Sequence, residues 1–202
     1  MRVLVACEFS GIVRDAFLRR GHDAWSCDFE PTESPCLWHI QGDVLSVIND
    51  GWDLIIAHPP CTYLTVAANG WHARRPEREP LRQAAAAFFI SLYNAPTPRV
   101  AVENPVGVMS TLFRKPDQVI QPWMFGHRTR KATCLWLRGL PPLLPTKQVK
   151  PEMVKGLSPK GKKYYSLNWL PATVDRWKIR SRTFKGIADA MADQWGATLE
   201  AR

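Results

Sequence analysis

"MRVLVACEFSGIVRDAFLRRG", Met1–Gly21, decides how the rest of the chain is read. Its first seven residues are rich in Val and Leu with little polar alternation, the pattern of a parallel strand buried on both faces. A short polar turn ending in Gly11 follows. Then Ile12, Val13, Ala16, Phe17 and Leu18 recur at helical spacing until Gly21 offers a stop. A strand, a tight turn and a helix in that order let backbone amides approach a nucleotide-like ligand at the helix start. The turn is not a GxGxxG loop, and an ordinary strand-to-helix connection has the same outline.

Outward from this unit the alternation repeats. "HDAWSCDFE" reads as a strand ending in acids, "GDVLSVIND" as a turn with a short helix, and "WDLIIAH" as another buried strand. "EREPLRQAAAAFFISLYNA" is a strong helix with Pro80 near its start. "RVAVENP" is a strand stopped by Pro105, and "KATCLWLRG" is one more. "SRTFKGIADAMADQWGATLEA" closes the chain as a helix with Ile187, Met191 and Trp195 on one face. Strands alternating with helices predict βαβ units and a mostly parallel sheet. Such sheets bind ligands at the carboxyl ends of their strands. Four chemically interesting stretches, "CEFSG", "CDFE", "HPPC" and "ENP", fall at those ends.

The chain has 202 residues, 46% hydrophobic and 22% charged, enough for one full α/β domain. No apolar run approaches the roughly 18 residues of a membrane span, so a cytoplasmic protein without membrane contact is expected. Five cysteines (Cys7, Cys27, Cys36, Cys61, Cys134) form no paired framework. Cys27, Cys36 and His39 lack the tight CxxC pair of structural zinc sites, so no metal is expected. The net charge of +9 is concentrated. Residues 125–185 hold 15 Lys/Arg against 2 Asp/Glu, whereas residues 1–124 hold 11 against 13. A near-neutral domain with one strongly basic segment suits a polyanion binder, although a solvated basic surface loop has the same composition.

"HPPC" is the sharpest of the four stretches. Two prolines fix two φ angles and remove two amide donors, so the chain can neither extend a sheet nor start an ordinary helix there. Rigid backbone at a strand's carboxyl end suits a thiol, Cys61, whose approach angle matters. A lone cysteine is otherwise a small buried hydrophobe. Glu103 of "VENP" ends a neighbouring strand. Burial that raised its pKa would let it protonate or hydrogen-bond a ring nitrogen. A turn cap is the plainer role. Asp28 and Glu30, after the second strand, are placed to accept hydrogen bonds from ribose hydroxyls.

Taken in order, "FSGIV", "GDVL", "PPCT", "ENP", "HRTRKA" and "TFKGIADAM" resemble the motifs of the cytosine-C5 DNA methyltransferases that use S-adenosylmethionine, nearly end to end. The resemblance implies a Rossmann-like methyltransferase domain, a mostly parallel sheet flanked by helices, with a small irregular basic insert. Residues 1–138 would form the catalytic and cofactor domain, 139–180 the recognition insert and 181–202 a helix returning to the catalytic domain. By resemblance, Cys61 attacks C6 of cytosine, Glu103 engages N3 and the exocyclic amine, and Arg128 and Arg130 hold the base edge and a phosphate. Phe9, Ser10, Gly11, Asp28, Asp43, Pro59 and Asp189 would contact S-adenosylmethionine. Pro60, Asn104, Lys162, Lys163 and Tyr164 would contact the DNA. A target base must be flipped or single-stranded to be reached.

The chain departs from the family pattern in places. Val13 and Arg14 replace the second glycine pair, Thr62 the glutamine after the cysteine, Pro105 the valine of the Glu-Asn motif and Asp189 the closing asparagine. Only about 40 residues stand where the family carries a large target-recognition lobe, which implies relaxed or short site specificity and suggests a phage-type member. Methyltransferases of exocyclic amines carry Asp, Asn or Ser before Pro-Pro and an aromatic after it. His58 and Cys61 stand there instead, which favours the C5 class. In the insert, Lys160, Lys162, Lys163, Tyr164, Tyr165 and Trp169 interleave beside Arg176, Lys178, Arg180 and Arg182, a pattern that can track phosphates and stack on unpaired bases. A lid with core aromatics has the same composition. Other readings are C5 modification of a free cytosine nucleotide, transfer of a modified group, or a DNA-binding relative without catalysis. A monomer is expected.

Overall fold

The computed structural model describes residues 1–66, 74–155, 163–165 and 176–197; for 154–155 and 163–165 only the backbone path is described. The order is β1 (Arg2–Ala6), α1 (Ile12–Leu18), β2 (Asp23–Asp28), β3 (His39–Gln41), β4 (Leu54–Ala57), α2 (Glu79–Tyr93), β5 (Val100–Pro105), α3 (Met109–Leu112), β6 (Gln118–Ile120), β7 (Thr133–Arg138), β8 (Met153–Lys155), β9 (Lys163–Tyr165), α4 (Arg176–Ser181) and α5 (Lys185–Ala197). Seven strands form one sheet in the order β3-β2-β1-β4-β5-β7-β6. β3, β2, β1, β4 and β5 pair in parallel, and β7 runs antiparallel to both β5 and β6. This is the Rossmann-like α/β architecture that the sequence implied, a mostly parallel sheet flanked by helices, with the β6–β7 hairpin added at one edge.

Period-2 alternation sorts the strand residues between two cores. Val3, Val5, Leu54, Ile56, Leu135 and Leu137 face α1 and α5, meeting Val13, Phe17, Ile187, Met191 and Trp195. Leu4, Ala6, Ile55, Ala57, Val102 and Trp136 face α2, meeting Ala86, Phe89 and Leu92. Both faces of the central strands are therefore dry, which is why they read as unbroken hydrophobic runs. α1 begins where Gly11 adopts φ 72°, and the buried Glu8 carboxylate accepts from the Val13 and Arg14 amides at 2.7 and 3.2 Å. Those amides would otherwise be orphaned at the helix start.

Residues 139–152 run along the seven-stranded domain. Leu143 is buried there, the Trp195 indole donates to the Pro141 carbonyl at 3.0 Å, and Gln194 and Leu144 exchange hydrogen bonds. Beyond them β8 and β9 pair antiparallel, so the basic segment contains a small two-stranded sheet.

The loops after β4 and β5 are stitched together. The Asn104 amide donates to the Pro59 carbonyl at 2.9 Å, the Val108 amide to the Leu64 carbonyl at 2.8 Å and the Val66 amide to the Val106 carbonyl at 3.3 Å. Thr65 and Gly107 form an isolated bridge. A Cβ at Gly107 would collide with the Leu64 carbonyl oxygen, so only glycine lets the two backbones approach this closely. Truncating Asn104 leaves the Pro59 carbonyl without this donor. Asn104→Ala should therefore cost about 1–3 kcal/mol, a fall in Tm of several degrees for a domain of this size. Gly107→Ala should lower Tm further. A thermal melt of Asn104→Ala that superimposes on wild type would show that this bond does not hold the loop.

Candidate active site

The stitched loops bring together the two residues on which the chemistry was expected to rest. Cys61 lies partly buried in the loop that leaves β4 through Pro59 and Pro60. Its own carbonyl accepts from the Leu64 and Thr65 amides at 3.0 and 3.1 Å, closing the turn around the thiol. Glu103, near the end of β5, is close enough to influence it. Burial pushes the Cys61 thiol up and the Glu103 charge adds to that, against the opposing cations of Lys131 and Arg180. At neutral pH Cys61 is a thiol.

Glu103 behaves differently from expectation. Burial alone would raise its pKa, but the hydrogen bond from His58 and the nearby Lys131 ammonium outweigh burial and hold the carboxyl below the ordinary range. The His58 Nδ1 to Glu103 Oε2 distance is 3.3 Å, with the imidazole 9% and the carboxylate 17% exposed. Glu103 is thus a carboxylate facing a thiol. Lys131 sits beside it and is anchored by donating to the Arg180 carbonyl at 2.9 Å. Glu103, Lys131 and Thr133 face Thr183, Phe184 and Ile187 across a small cleft.

The other expected residues fall into groups. Asn104 is buried, its amide nitrogen committed to Pro59, and its Oδ1 has no partner among the described residues. Pro59 is buried and Pro60 exposed. Arg128 and Arg130 are exposed on the loop before β7, and Arg128 pairs with Glu152. Asp189 is not brought to the site. Its carboxylate is held by Arg19, Arg20 and Lys185 where α1 packs on α5. Lys163 and Tyr164 fall on β9, of which the backbone alone is described, and Lys160, Lys162 and Trp169 lie outside the described residues.

Of the residues expected to hold a cofactor, Phe9, Ser10, Gly11 and Asp28 lie at the ends of β1 and β2, and Asp43 follows β3. Cys7 leaves β1 with φ 59°, a left-handed conformation uncommon for a residue with a side chain and frequent at functional turns. Its thiol is raised by burial and then by Asp28, Cys27 and Asp43, so these groups share one pocket of field. Asp28 accepts from the Glu30 amide through Oδ1 at 2.9 Å, and burial raises its carboxyl. Asp43 caps its own 3-10 turn through the Leu45 amide at 2.9 Å. The Ser10 hydroxyl is 3.2 Å from the Glu8 carboxylate. Arg14 explains the altered glycine pair. Its guanidinium is fully buried beneath the Gly11 turn, bound to Asp15, Ser26, Thr32 and the Ser34 carbonyl. A side chain at position 11 would collide with it.

α4 lies over this region. The Trp177 ring packs on Phe9 with centroids 5.7 Å apart, Lys178 pairs with Glu30 at 2.9 Å, and Arg182 makes a two-pronged pair with Glu33 at 2.6 and 2.8 Å. Asp28 and the Gly11 turn could hold the ribose edge of a nucleoside-like ligand, while Phe9 and Glu30 are covered by α4. Lys131, Glu8 and Trp177 were missed because a lysine in a basic run, an acid in a turn and an aromatic beside lysines all look like solvated surface. His58 was weighed only as a class marker. Among the described residues no group of three or more His, Cys, Asp or Glu gathers for a metal, and no helix is long and apolar enough to cross a membrane.

No protein-family model matches the chain, and no curated protein does. A solved structure similar to it is that of a candidate DNA modification methyltransferase encoded within a prophage of E. coli, with 14% identity and a TM-score of 0.48. The match covers 74% of this chain and 52% of that one, so the chain spans about half that protein's length.

The electrostatics of the site fix the direction of two substitutions. In a Cys36→Ser background, alkylation of Cys61 by iodoacetamide should rise with pH with a midpoint above 9. Glu103→Gln removes the negative neighbour and should speed the reaction at pH 8 several-fold, whereas Lys131→Ala should slow it. Equal rates in all three proteins would show that Glu103 and Lys131 do not act on the thiol.

Proposed function

We propose that this chain is a DNA methyltransferase that modifies C5 of cytosine through a covalent bond between Cys61 and C6. The observation that carries the reading is the juxtaposition of a loop-held thiol, Cys61, with a part-buried carboxylate, Glu103, at adjacent strand ends. The concentrated basic segment supports DNA as the substrate.

The protonation states make chemical sense of that pair. C5 of cytosine is a poor nucleophile until C6 carries an electron-donating substituent. Cys61 rests as a thiol and Glu103 as a carboxylate, so moving one proton from Sγ to Glu103 creates both the nucleophile and the acid that the ring needs. The thiolate adds to C6 as Glu103 returns that proton to N3, leaving the ring electron-rich at C5. S-adenosylmethionine, when bound, supplies the activated methyl group for that carbon. Loss of the C5 proton and of the N3 proton then expels the Cys61 thiolate and restores aromaticity. Lys131 offsets the negative charge shared between Cys61 and Glu103 throughout. Asp28, Asp43, Phe9, Ser10, Gly11 and Pro59 would hold the cofactor. Arg128, Arg130 and the basic segment would hold the phosphates and the base edge, and Pro60 and Asn104 would shape the pocket floor.

The test is transfer of labelled methyl from S-adenosylmethionine to duplex DNA, single-stranded DNA and free dCMP. The expected result is label at C5 of cytosine in DNA, lost on the order of 10³-fold or more in Cys61→Ala. Label confined to dCMP would move the substrate to free nucleotides. Salt-sensitive DNA binding without transfer would leave a binding protein.

A further inference from the structure

His58 lies at the site, the reaction as written does not use it, and its surroundings are unusual. It follows β4 directly, and its backbone amide continues the parallel ladder by donating to the Ala6 carbonyl at 2.9 Å. The imidazole is therefore delivered between the ends of β1 and β5, the two strands that flank β4. From β5 it meets Glu103 through Nδ1 at 3.3 Å. From the end of β1 it is faced by the buried Glu8, whose carboxylate is already committed to the Val13 and Arg14 amides and the Ser10 hydroxyl. Lys131 approaches Glu103 from the β7 side. The imidazole is more than nine-tenths buried, and Nε2 has no partner among the described residues.

An orphaned buried nitrogen is costly, and side chains that merely fill space do not carry one. We propose that His58 is a positioning residue: through Nδ1 it fixes the orientation of the Glu103 carboxylate toward the substrate ring, and Nε2 is the donor or acceptor left for a bound base. This rests on the cytosine reading for the identity of the ring but not for the His58–Glu103 contact. Glu103 has two carboxylate oxygens, of which Oε2 is the one that meets His58. Anchoring Oε2 leaves Oε1 as the oxygen that can receive the Cys61 proton and pass it to N3. A carboxylate free to rotate would spend less time in that geometry, which lowers turnover more than substrate affinity.

The experiment compares His58→Asn, which can place an amide donor near the position of Nδ1, with His58→Leu, which cannot. Two readouts are taken on the full chain: the titration midpoint of the Glu103 carboxyl by NMR with carboxyl-labelled glutamate, assigned with Glu103→Gln, and the steady-state kinetics of methyl transfer to DNA. In wild type the midpoint should lie below that of an ordinary glutamate. His58→Leu removes a group that lowers it while burial remains, so the midpoint should rise, and kcat should fall by tenfold or more with KM for DNA nearly unchanged. His58→Asn should recover most of both. An unchanged midpoint in His58→Leu, or a His58→Asn protein as impaired as His58→Leu by both measures, would overturn the proposal. If wild type transfers no methyl group, the cytosine reading fails, and the titration alone still decides whether His58 holds Glu103.

Discussion

The hydrogen bond from Asn104 to the Pro59 carbonyl is the contact on which the site depends. A Pro-Pro pair has no amide of its own to give, so that part of the loop after β4 can be hydrogen-bonded only through its carbonyls. A neighbouring donor must therefore reach it, and Asn104 does so from inside the protein. Because Asn104 follows Glu103 directly on β5, the residue that fixes the thiol's loop and the residue that would engage the base share one strand end. The close approach at Gly107 extends the same seam to the backbones beyond. Positions of Cys61 and Glu103 are thus set relative to each other rather than separately to the core.

This coupling has an electrostatic counterpart. Glu103 lies near two groups that can carry positive charge, His58 and Lys131, and their combined effect exceeds the burial that would have neutralised it. The same carboxylate then acts on Cys61 as a negative neighbour and, with burial, keeps it protonated. A buried acid and a buried thiol with reversed states would place an uncompensated thiolate next to a neutral acid in the resting protein. This assignment keeps one part-buried negative charge, paired, and defers the creation of the nucleophile until it is needed.

Much of the scaffold was legible in the sequence because it obeys short-range rules. The unbroken Val-Leu runs marked strands buried on both faces, and Gly11, Gly21 and Pro80 punctuated the helices as expected. β3 and β6 were not legible, being three residues each with no pattern of their own and held by pairing with longer strands. The antiparallel direction of β7 is equally a tertiary fact. At the site, Cys61 and Glu103 stood out because a rigid loop and a strand end are visible locally. The depressed pKa of Glu103 was not, since it depends on His58, 45 residues earlier, and on Lys131, 28 residues later. Asp189 shows the converse: its position matches a motif, but Arg19 and Arg20 across the α1–α5 contact and Lys185 on its own helix pair with its carboxylate.

The basic segment is tied to both halves of the site. Lys131 reaches the Arg180 carbonyl next to the thiol, while Lys178 and Arg182 hold Glu30 and Glu33 next to Phe9. These are partly exposed pairs, each contributing little, so α4 is fastened by several weak contacts rather than one strong one. Arginine forms charge-assisted, often two-pronged hydrogen bonds with phosphate as it does with carboxylate, and lysine also binds phosphate. A polyanion that drew Lys178 and Arg182 away from Glu30 and Glu33 would therefore also uncover the acidic rim of the cofactor region and the face of Phe9. Conversely, a ligand that took Glu30 would release Lys178 for phosphate. The two events break the same ion pairs, so occupancy of one side lowers the cost of occupancy on the other by whatever those pairs contribute.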